Sequence, residues 1–277
     1  MFVCPDCKSH LENLFCSTCQ HQFEKGDGVP LLLSNHPEYR EAGKIGSVYD
    51  DIYTKHSQVW EDQGRTQEFL TYFASLVASF STGEILEIGC GEGFLLSSLH
   101  ANRLTAIDLS AQALKKASAK LPLVCCVALA ERLPFPNESF HLVLSVGVME
   151  HFLNDHEANN EIFRVLKPGG HYLALIHVHL SRRETIRQKS REFLYPRFRP
   201  FALSQWILKK LFRPIAQPIQ RPYTRQSAKK CFEECGFTVE NIIGKDSNAE
   251  APLIGPHVLI FVASKNSTVP PANSPLK

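Results

Sequence analysis

The amino-acid sequence predicts an α/β fold in which helices cover both faces of a mostly parallel sheet, with a small cysteine-rich head in front. Strand-like and helix-like patterns alternate from residue 84 to residue 178, and such alternation is typical of parallel sheets with helical crossovers. Four of the nine cysteines lie in two close pairs before residue 20. These two observations separate a main α/β domain from an N-terminal appendage.

Composition limits the classes of protein to which the chain can belong. With 277 residues, of which 44% are hydrophobic, it can bury one substantial core and a minor appendage. Its start lacks a basic segment followed by an apolar one, and no stretch approaches the roughly 18 apolar residues of a membrane-spanning helix. We therefore expect a soluble, cytoplasmic protein without a transmembrane segment, whose cysteines are reduced.

The four cysteines of the head are predicted to bind one zinc ion. They follow the spacing Cys-x2-Cys-x8-Cys-x2-Cys, in which each short pair can direct two thiolates at a tetrahedral metal. The predicted ligands are Cys4, Cys7, Cys16 and Cys19. Four thiolates leave no coordination position open, so the metal would be structural, and it would supply folding free energy that so small a core lacks. We assign residues 1–33 to this zinc ribbon, closed by an apolar strand at 29–33.

Residues 34–80 are predicted to form a linker and a helical lid, because apolar side chains follow helical spacing from Phe69 to Phe80. The main domain is assigned to residues 81–265. Its strands are predicted at 84–88, 103–107, 122–127, 140–146, 171–178, 237–243 and 257–263. Its helices are predicted at 93–100, 110–119, 155–166 and just before Gly236. Residues 266–277 are polar and proline-rich and are expected to be a disordered tail.

A glycine-rich turn follows the first strand of the main domain. In "EILEIGCGEGFLL", Gly89, Gly91 and Gly93 stand at alternate positions, at the end of a strand where ligands of open α/β sheets bind. The spacing fits neither the dinucleotide fingerprint nor the nucleoside-triphosphate loop. Glu87 and Glu92 flank the turn, and their charge suits an ammonium or sulfonium group better than a pyrophosphate. The turn is therefore predicted to hold a cationic nucleoside.

Asp108 ends the second strand of the main domain. A carboxylate at this place can accept hydrogen bonds from both hydroxyls of a ribose. The alternative is that Asp108 caps the following helix, although Ser110 already stands at a capping position. Together with the glycine turn, the carboxylate favours a nucleoside ligand.

Four segments resemble class I S-adenosylmethionine-dependent methyltransferases of the type 11-like group: "EILEIGCGEG", "AIDLS", "AERLPFPNESFHLVLSVGVMEHF" and "IFRVLKPGGHYLAL". The resemblance covers about residues 81–265 and implies a Rossmann-like sheet of seven strands whose last strand is antiparallel. It implies S-adenosylmethionine as cofactor, with Asp108 on its ribose. The cofactor-binding residues that it implies are Glu87, Gly89, Cys90, Gly91, Gly93, Asp108, Leu109, Ala130, Glu131 and Ser145.

The sequence departs from the family pattern at three positions. Leu129 stands where the family often has an aspartate that binds the adenine amino group, so recognition of adenine between Leu109 and Glu131 would rest on apolar contact and backbone groups. His141 stands where aspartate is usual and is interpreted as structural. The head resembles that of ribosomal RNA guanine methyltransferases, but Cys19 stands where those enzymes often have histidine.

Three histidines are candidates for a catalytic base. An acceptor oxygen or nitrogen can require deprotonation, and histidine titrates in the useful pH range. His151, His177 and His179 lie at the carboxyl ends of the middle strands, and the alternate spacing of the last two directs both to one face. The alternative is that each histidine only packs in the core or binds backbone groups.

Residues 180–223 are predicted to cover the substrate. They contain eleven basic, two acidic and seven aromatic residues, a net charge of +9 within a chain whose total is +2. Basic patches with aromatic residues bind RNA through phosphates and stacked bases. The stretch "FALSQWILKKLF" also fits an amphipathic helix on an anionic membrane surface or over an apolar acceptor. A solvated face that only covers the sheet is the third interpretation.

Three functions fit these features. The first is methylation of a small apolar or aromatic molecule, and the second is methylation of an RNA base, with the head and residues 180–223 holding the RNA. The third is a cofactor-binding scaffold that has lost catalysis. The first is favoured because no motif of the Asn-Pro-Pro-Tyr kind follows the fourth strand to receive a base amine.

Overall fold

The computed structural model describes residues 2–55, 67–80, 83–178, 221–244 and 257–266. Its N-terminal head consists of two short antiparallel strand pairs. β1 (Phe15–Cys16) pairs with β2 (His21–Gln22), and β3 (Lys25–Gly26) pairs with β4 (Val29–Pro30). The apolar strand predicted at 29–33 is shorter in the structure. Only Val29–Pro30 belongs to the hairpin, because Leu31 forms a parallel bridge with Val127 instead.

Two helices precede the main sheet, α1 (Ala42–Lys55) and α2 (Gln67–Ala78). The sequence indicates α2, but it assigns α1 to the linker. Two glycines, Gly43 and Gly46, lower the helix propensity of α1 and obscure its pattern. Tertiary burial of Ile52 and Tyr53 overrides this weak propensity.

The main sheet has seven strands within the described residues. They are β5 (Glu84–Ile88), β6 (Arg103–Asp108), β7 (Val124–Val127), β8 (Phe140–Val146), β9 (Leu166–His177), β10 (Thr238–Ile243) and β11 (Val258–Ser264). Their order across the sheet is β10-β11-β9-β8-β5-β6-β7. Only β11 runs antiparallel to its neighbours, β9 and β10. The predicted seven-stranded sheet with an antiparallel last strand is confirmed.

In the part of the chain that the structure describes, three helices accompany the strands: α3 (Ala111–Lys120), α4 (Asp155–Val165) and α5 (Arg225–Glu234). Each begins after a capping side chain that accepts a backbone N–H: Ser110, Asn154 and Thr224. The helix predicted at 93–100 is wrong, since only a short 3-10 turn, Leu96–Ser98, forms there. Its apolar side chains fill the core without a regular helix.

Side chains on the two faces of the sheet belong to two hydrophobic cores. On β8, Val143 lies in one core, whereas Leu142 and Leu144 lie in the other, as the alternation of a strand requires. The first core also takes residues from α4, α5 and the head, and the second takes residues from α2 and α3. The predicted covering of both sheet faces by helices is therefore confirmed.

The head covers the edge of the sheet at β7. The Leu32 N–H donates to the Val127 carbonyl at 2.8 Å, and the Val3 N–H donates to the Pro134 carbonyl at 3.0 Å. An edge strand whose backbone groups are paired in this way is protected from pairing with another chain. Among the helices described, none combines the length and the apolar character that crossing a membrane requires.

Candidate functional site

A mostly apolar cleft of about 890 Å³ lies at the carboxyl ends of the central strands. The chain continues from β5 to one side, into β6, and later returns to the other side of β5 as β8. Ligands of open α/β sheets bind at such a reversal of strand order. The cleft is lined by Ile45, Tyr49, Tyr53, Ile88, Gly89, Gly91, Ile107, Asp108, Leu109, Ala128, Leu129, Ala130, Glu131, Val146, Gly147, Val148, His151, Phe152 and Leu153.

The glycine turn forms one wall of this cleft. Gly89 has a φ of +68°, and a Cβ atom there would lie 2.5 Å from Cγ2 of Val148, so no larger residue fits. Gly91 also lines the cleft, and its N–H donates to Asp108. Cys90 and Gly93 do not line it: the Cys90 thiol is buried and donates to the Gly91 carbonyl, and the Gly93 N–H donates to the Cys90 carbonyl. The last two residues shape the turn from behind.

Asp108 ends β6 and lies against the turn. Its Oδ2 accepts the Gly91 N–H at 2.9 Å, and its Oδ1 accepts the Ser110 N–H at 2.9 Å. Burial raises the pKa of Asp108, although these backbone hydrogen bonds oppose the shift. A carboxylate has about four acceptor sites, so Asp108 keeps acceptor capacity for a ligand hydroxyl. The helix cap is Ser110, whose Oγ accepts the Ala113 N–H, so the capping role is filled without Asp108.

Two acidic side chains flank the turn without facing the cleft. Glu92 Oε1 lies 2.7 Å from Lys116 Nζ, and Lys120 is 3.7 Å from the other carboxylate oxygen. The expectation that Glu92 attracts a cationic ligand is therefore wrong, since two lysines of α3 neutralise its charge. Glu87 is only 1% exposed and is not among the residues that line the cleft.

Ser145 also lies away from the cleft. Its hydroxyl is hydrogen-bonded to the Tyr172 hydroxyl at 2.8 Å, and both residues are fully buried between β8 and β9. The resemblance implied a cofactor contact at Ser145, but the hydrogen-bond partner on the neighbouring strand cannot be read from the sequence.

The opposite wall of the cleft comes from the loops after β6 and β7. Leu109, Leu129, Ala130 and Glu131 all line it. Glu131 Oε1 accepts the Asn154 N–H at 3.1 Å, and burial raises the pKa of this carboxyl. Glu131 therefore also fixes the start of α4.

Helix α1 closes one side of the cleft, whereas the sequence predicted the helix of the 34–80 segment only at Phe69–Phe80. Ile45, Tyr49 and Tyr53 contribute its lining. Burial raises the pKa of Tyr49 to about 12, with smaller contributions from the charges of Asp108 and Glu150. The signal available in the sequence was the i, i+4, i+8 spacing of these three residues.

Hydrogen bonds anchor α1 to α3. Asp50 Oδ1 accepts the Ser110 hydroxyl at 2.6 Å and the Gln112 N–H at 3.0 Å. Lys116 Nζ donates to the Tyr53 carbonyl at 2.6 Å. The helix therefore holds its aromatic residues over the glycine turn.

Of the three candidate bases, the structure describes His151 and His177, and it places them differently. His151 lines the cleft directly. His177 ends β9 beside Gly147, where a Cβ atom would lie 3.3 Å from the imidazole. Its Nδ1 is 2.5 Å from Oε1 of Glu150, whose side chain is 3% exposed while that of His177 is 58% exposed. The pairing joins residues of two strand ends and was not predicted, although Glu150 precedes His151 in the sequence.

Several predictions lie outside the described residues. These are His179, residues 180–220 of the proposed substrate cover, and residues 267–277 of the proposed tail.

The four head cysteines lie close together. Cys4 Sγ is 3.9 Å from Cys19 Sγ, Cys7 Sγ is 3.4 Å from Cys16 Sγ, and the four sulfurs are within 4.8 Å of one another. A tetrahedral ion with metal–sulfur bonds of about 2.3 Å holds its sulfurs about 3.8 Å apart. None of these cysteines is in a disulfide. The donor set therefore fits a zinc ion.

Comparison with known proteins identifies part of the chain. Residues 86–174 match the family described as a methyltransferase domain. The phthiotriol/phenolphthiotriol dimycocerosates methyltransferase of Mycobacterium tuberculosis is 35% identical over 96 residues, which are 32% of this chain and 36% of that protein. An uncharacterized methyltransferase of Schizosaccharomyces pombe is 39% identical over 99 residues, 34% of this chain and 39% of that protein. The chain thus spans little more than a third of the relatives' length.

A solved structure shares the fold across a larger part of the chain. A SAM-dependent methyltransferase of Thermotoga maritima superposes with a TM-score of 0.55 at 17% identity, covering 79% of this chain and 99% of that one. At this identity the likeness concerns the fold alone. Residues 86–174 therefore match a methyltransferase domain, and the strand order and the position of the cleft are those expected of class I S-adenosylmethionine-dependent methyltransferases.

Proposed function

We propose that this chain is a methyltransferase that uses S-adenosylmethionine and acts on a small apolar or aromatic acceptor. The cleft carries this proposal, since it combines a close-approach glycine turn with the buried carboxylate of Asp108 inside the segment that matches the family. The lining around them is mostly apolar, which suits an acceptor of the same character.

The residues present fit the proposed cofactor. Asp108 offers its remaining acceptor capacity to the ribose hydroxyls, and Leu109, Leu129 and Ala130 offer apolar contact to the adenine. Gly89 and Gly91 leave room for close approach of the methionine end. When bound, S-adenosylmethionine supplies a methyl group on a positively charged sulfur.

The pair of Glu150 and His177 is the proposed base. Glu150 accepts the Nδ1–H of His177, which leaves Nε2 free to take a proton from an acceptor hydroxyl. Glu150 is then a positioning residue, because it fixes the imidazole orientation without reaching the acceptor. His151, inside the cleft, is the second candidate.

We also propose that Cys4, Cys7, Cys16 and Cys19 hold a structural zinc ion. Their sulfur separations support it, and the buried positions of Cys4 and Cys16 make the site part of the first core. Zinc would then stabilise the head and its contact with β7.

Labelling tests the proposed function. The full chain is incubated with methyl-labelled S-adenosylmethionine and a fractionated lysate, with the Asp108→Ala variant as the inactive control. Label in the organic extract or the small-metabolite fraction supports the proposal. Label in RNA replaces it by the RNA alternative. Cofactor binding in calorimetry without turnover on any fraction favours the scaffold.

A further inference from the structure

We propose that a second zinc ion binds between α4 and α5, at His156, Cys231 and Cys235. The imidazole nitrogen and the two sulfurs lie within 4.8 Å of one another, and His156 Nδ1 is 3.8 Å from Cys235 Sγ. Tetrahedral zinc with bonds of about 2.3 Å to sulfur and 2.0–2.1 Å to nitrogen sets these two atoms about 3.6 Å apart. The three donors therefore surround a volume of the right size.

The backbone fixes this arrangement. Cys231 and Cys235 are four residues apart at the end of α5, so both side chains leave the same face of the helix. His156 lies in the first turn of α4, which packs beside α5. Cys231 and Cys235 are 4% and 7% exposed, and the His156 side chain is 51% exposed. The site thus has a buried thiol side and an open histidine side.

Neighbouring side chains suit a bound metal. Asn159, which is fully buried, donates its Nδ2–H to Cys231 Sγ at 3.5 Å, a contact that stabilises a thiolate. The other ring nitrogen of His156, Nε2, is 3.6 Å from Oε2 of Glu234. Metal-ligating histidines commonly present their second nitrogen to a carboxylate, which orients the ring.

The donor types select the ion. Two thiolates and one imidazole suit zinc, whereas magnesium and calcium prefer oxygen ligands. Binding releases the two thiol protons, and the two thiolate charges neutralise the divalent ion, so no net charge is buried. The exposed side of His156 leaves the fourth position to water.

A metal here would stabilise the packing of α4 against α5. It would join α5 to the first turn of α4, which follows closely in the chain after Phe152 and Leu153, two residues that line the cleft. Asp155, beside His156, also accepts the Tyr223 hydroxyl at 2.5 Å, so the same turn of α4 holds the chain that leads into α5. The inference uses the donor geometry alone and does not depend on methyl transfer.

Zinc content per chain tests the proposal. Zinc is measured by mass spectrometry of the full chain and of His156→Gln, which changes an exposed side chain and should leave the fold intact. The variant is expected to lose about one zinc equivalent relative to the wild type, and Cys235→Ser is expected to lose the same equivalent. His100→Gln and Cys125→Ser, which alter residues outside both cysteine clusters, should retain the wild-type content.

Cobalt substitution gives an independent readout, because thiolate ligands produce charge-transfer absorption. The difference spectrum between wild type and His156→Gln should show the loss of a site with two thiolates. Equal zinc content in wild type and His156→Gln overturns the proposal. A mass of the freshly purified chain that reveals a disulfide between Cys231 and Cys235 overturns it as well.

Discussion

Both carboxylate oxygens of Asp108 accept hydrogen bonds from backbone N–H groups, and the carboxylate keeps acceptor capacity for a ligand. Asp108→Asn replaces one carboxylate oxygen by an NH2 group, which donates hydrogen bonds. In either orientation of the amide, this group would face another donor, a backbone N–H or a ribose hydroxyl. We expect cofactor affinity to fall by about 1–3 kcal/mol, roughly 5–150-fold. Isothermal titration with S-adenosylmethionine measures this loss. Asp27→Asn, at an exposed carboxylate beside Lys115, should bind normally, and normal binding by Asp108→Asn contradicts the ribose assignment.

The pH dependence of that affinity follows from the same residue. Burial raises the pKa of Asp108 above that of an exposed aspartate. Only the ionised carboxylate accepts hydrogen bonds with both oxygens, so cofactor affinity should be highest above this raised pKa and should decline as the pH falls through it. The decline should begin at a higher pH than it would for an exposed aspartate. In Asp108→Asn this part of the pH profile should disappear.

Glu150 should matter for turnover and not for cofactor binding. Glu150→Gln keeps the size of the side chain but removes the charge that holds His177 Nδ1–H. We expect kcat to fall by about 10–100-fold once an acceptor is known, with cofactor affinity unchanged. His141→Gln, at a histidine on the opposite end of β8, is the matched control. An equal loss in both variants would point to a structural cause.

Single residues differ in how well the sequence indicates their roles. Asp108 and Gly89 were predictable, because a strand end followed by a turn fixes where they lie. Glu92 and Ser145 were misjudged, since their partners, Lys116 and Tyr172, come from distant parts of the chain. The pairing of Glu150 with His177 was missed for the same reason. The local sequence pattern predicts where a residue lies along the chain's strands and turns, whereas its side-chain partner depends on the tertiary fold.

Among the helices, α1 offers a test with a built-in control. A Cβ atom at Gly46 would lie 2.7 Å from the Leu109 carbonyl oxygen, whereas nothing lies within 4 Å of one at Gly43. Gly46→Ala should therefore displace α1, with Tyr49 and Tyr53, and weaken cofactor binding several-fold despite better helix propensity. Gly43→Ala should leave binding unchanged and stabilise the chain by about 0.5–1 kcal/mol. Calorimetry and urea unfolding measure both effects, and equal affinities would show that α1 does not close the cleft.

An ion pair to a buried carboxylate of α4 contributes to the contact between the head and α4. Glu161 lies 2.6 Å from Lys8 Nζ and 2.6 Å from Arg164 Nε, with its side chain 14% exposed. Burial opposes its ionisation, but Arg164 and Lys8 lower its pKa overall. Glu161→Gln should cost about 2 kcal/mol in urea unfolding at neutral pH. Glu41→Gln, in the exposed pair with Lys44, should cost almost nothing.

The lowered pKa also gives the sign of the pH effect. The stabilisation from Glu161 is complete above the pKa that it has in the unfolded chain and is lost as the pH falls through its lower folded pKa. The difference in unfolding free energy between wild type and Glu161→Gln should therefore shrink in acid. A constant difference would mean that the glutamine disturbs packing.

For the whole molecule, the sheet could be predicted and the position of the head could not. Alternating patterns and right-handed crossovers restrict the strand order, and the resemblance gave the antiparallel last strand. The position of the head depends on two backbone hydrogen bonds, from Leu32 to Val127 and from Val3 to Pro134. In each, the two residues are about a hundred or more positions apart in the chain. The hydrophobic periodicity of the sequence does not predict contacts between residues so far apart.

Because the head shares a core with the sheet, zinc removal should destabilise the entire chain. Leu11, Phe23 and Leu32 of the head are buried in the same core as β8 and α4. Chelation in the His156→Gln background, which isolates the head site, should lower Tm by at least about 5 °C. The uncovered β7 edge should then promote self-association, measured by light scattering. Confirmed loss of zinc with Tm unchanged would mean that packing alone holds the head in place.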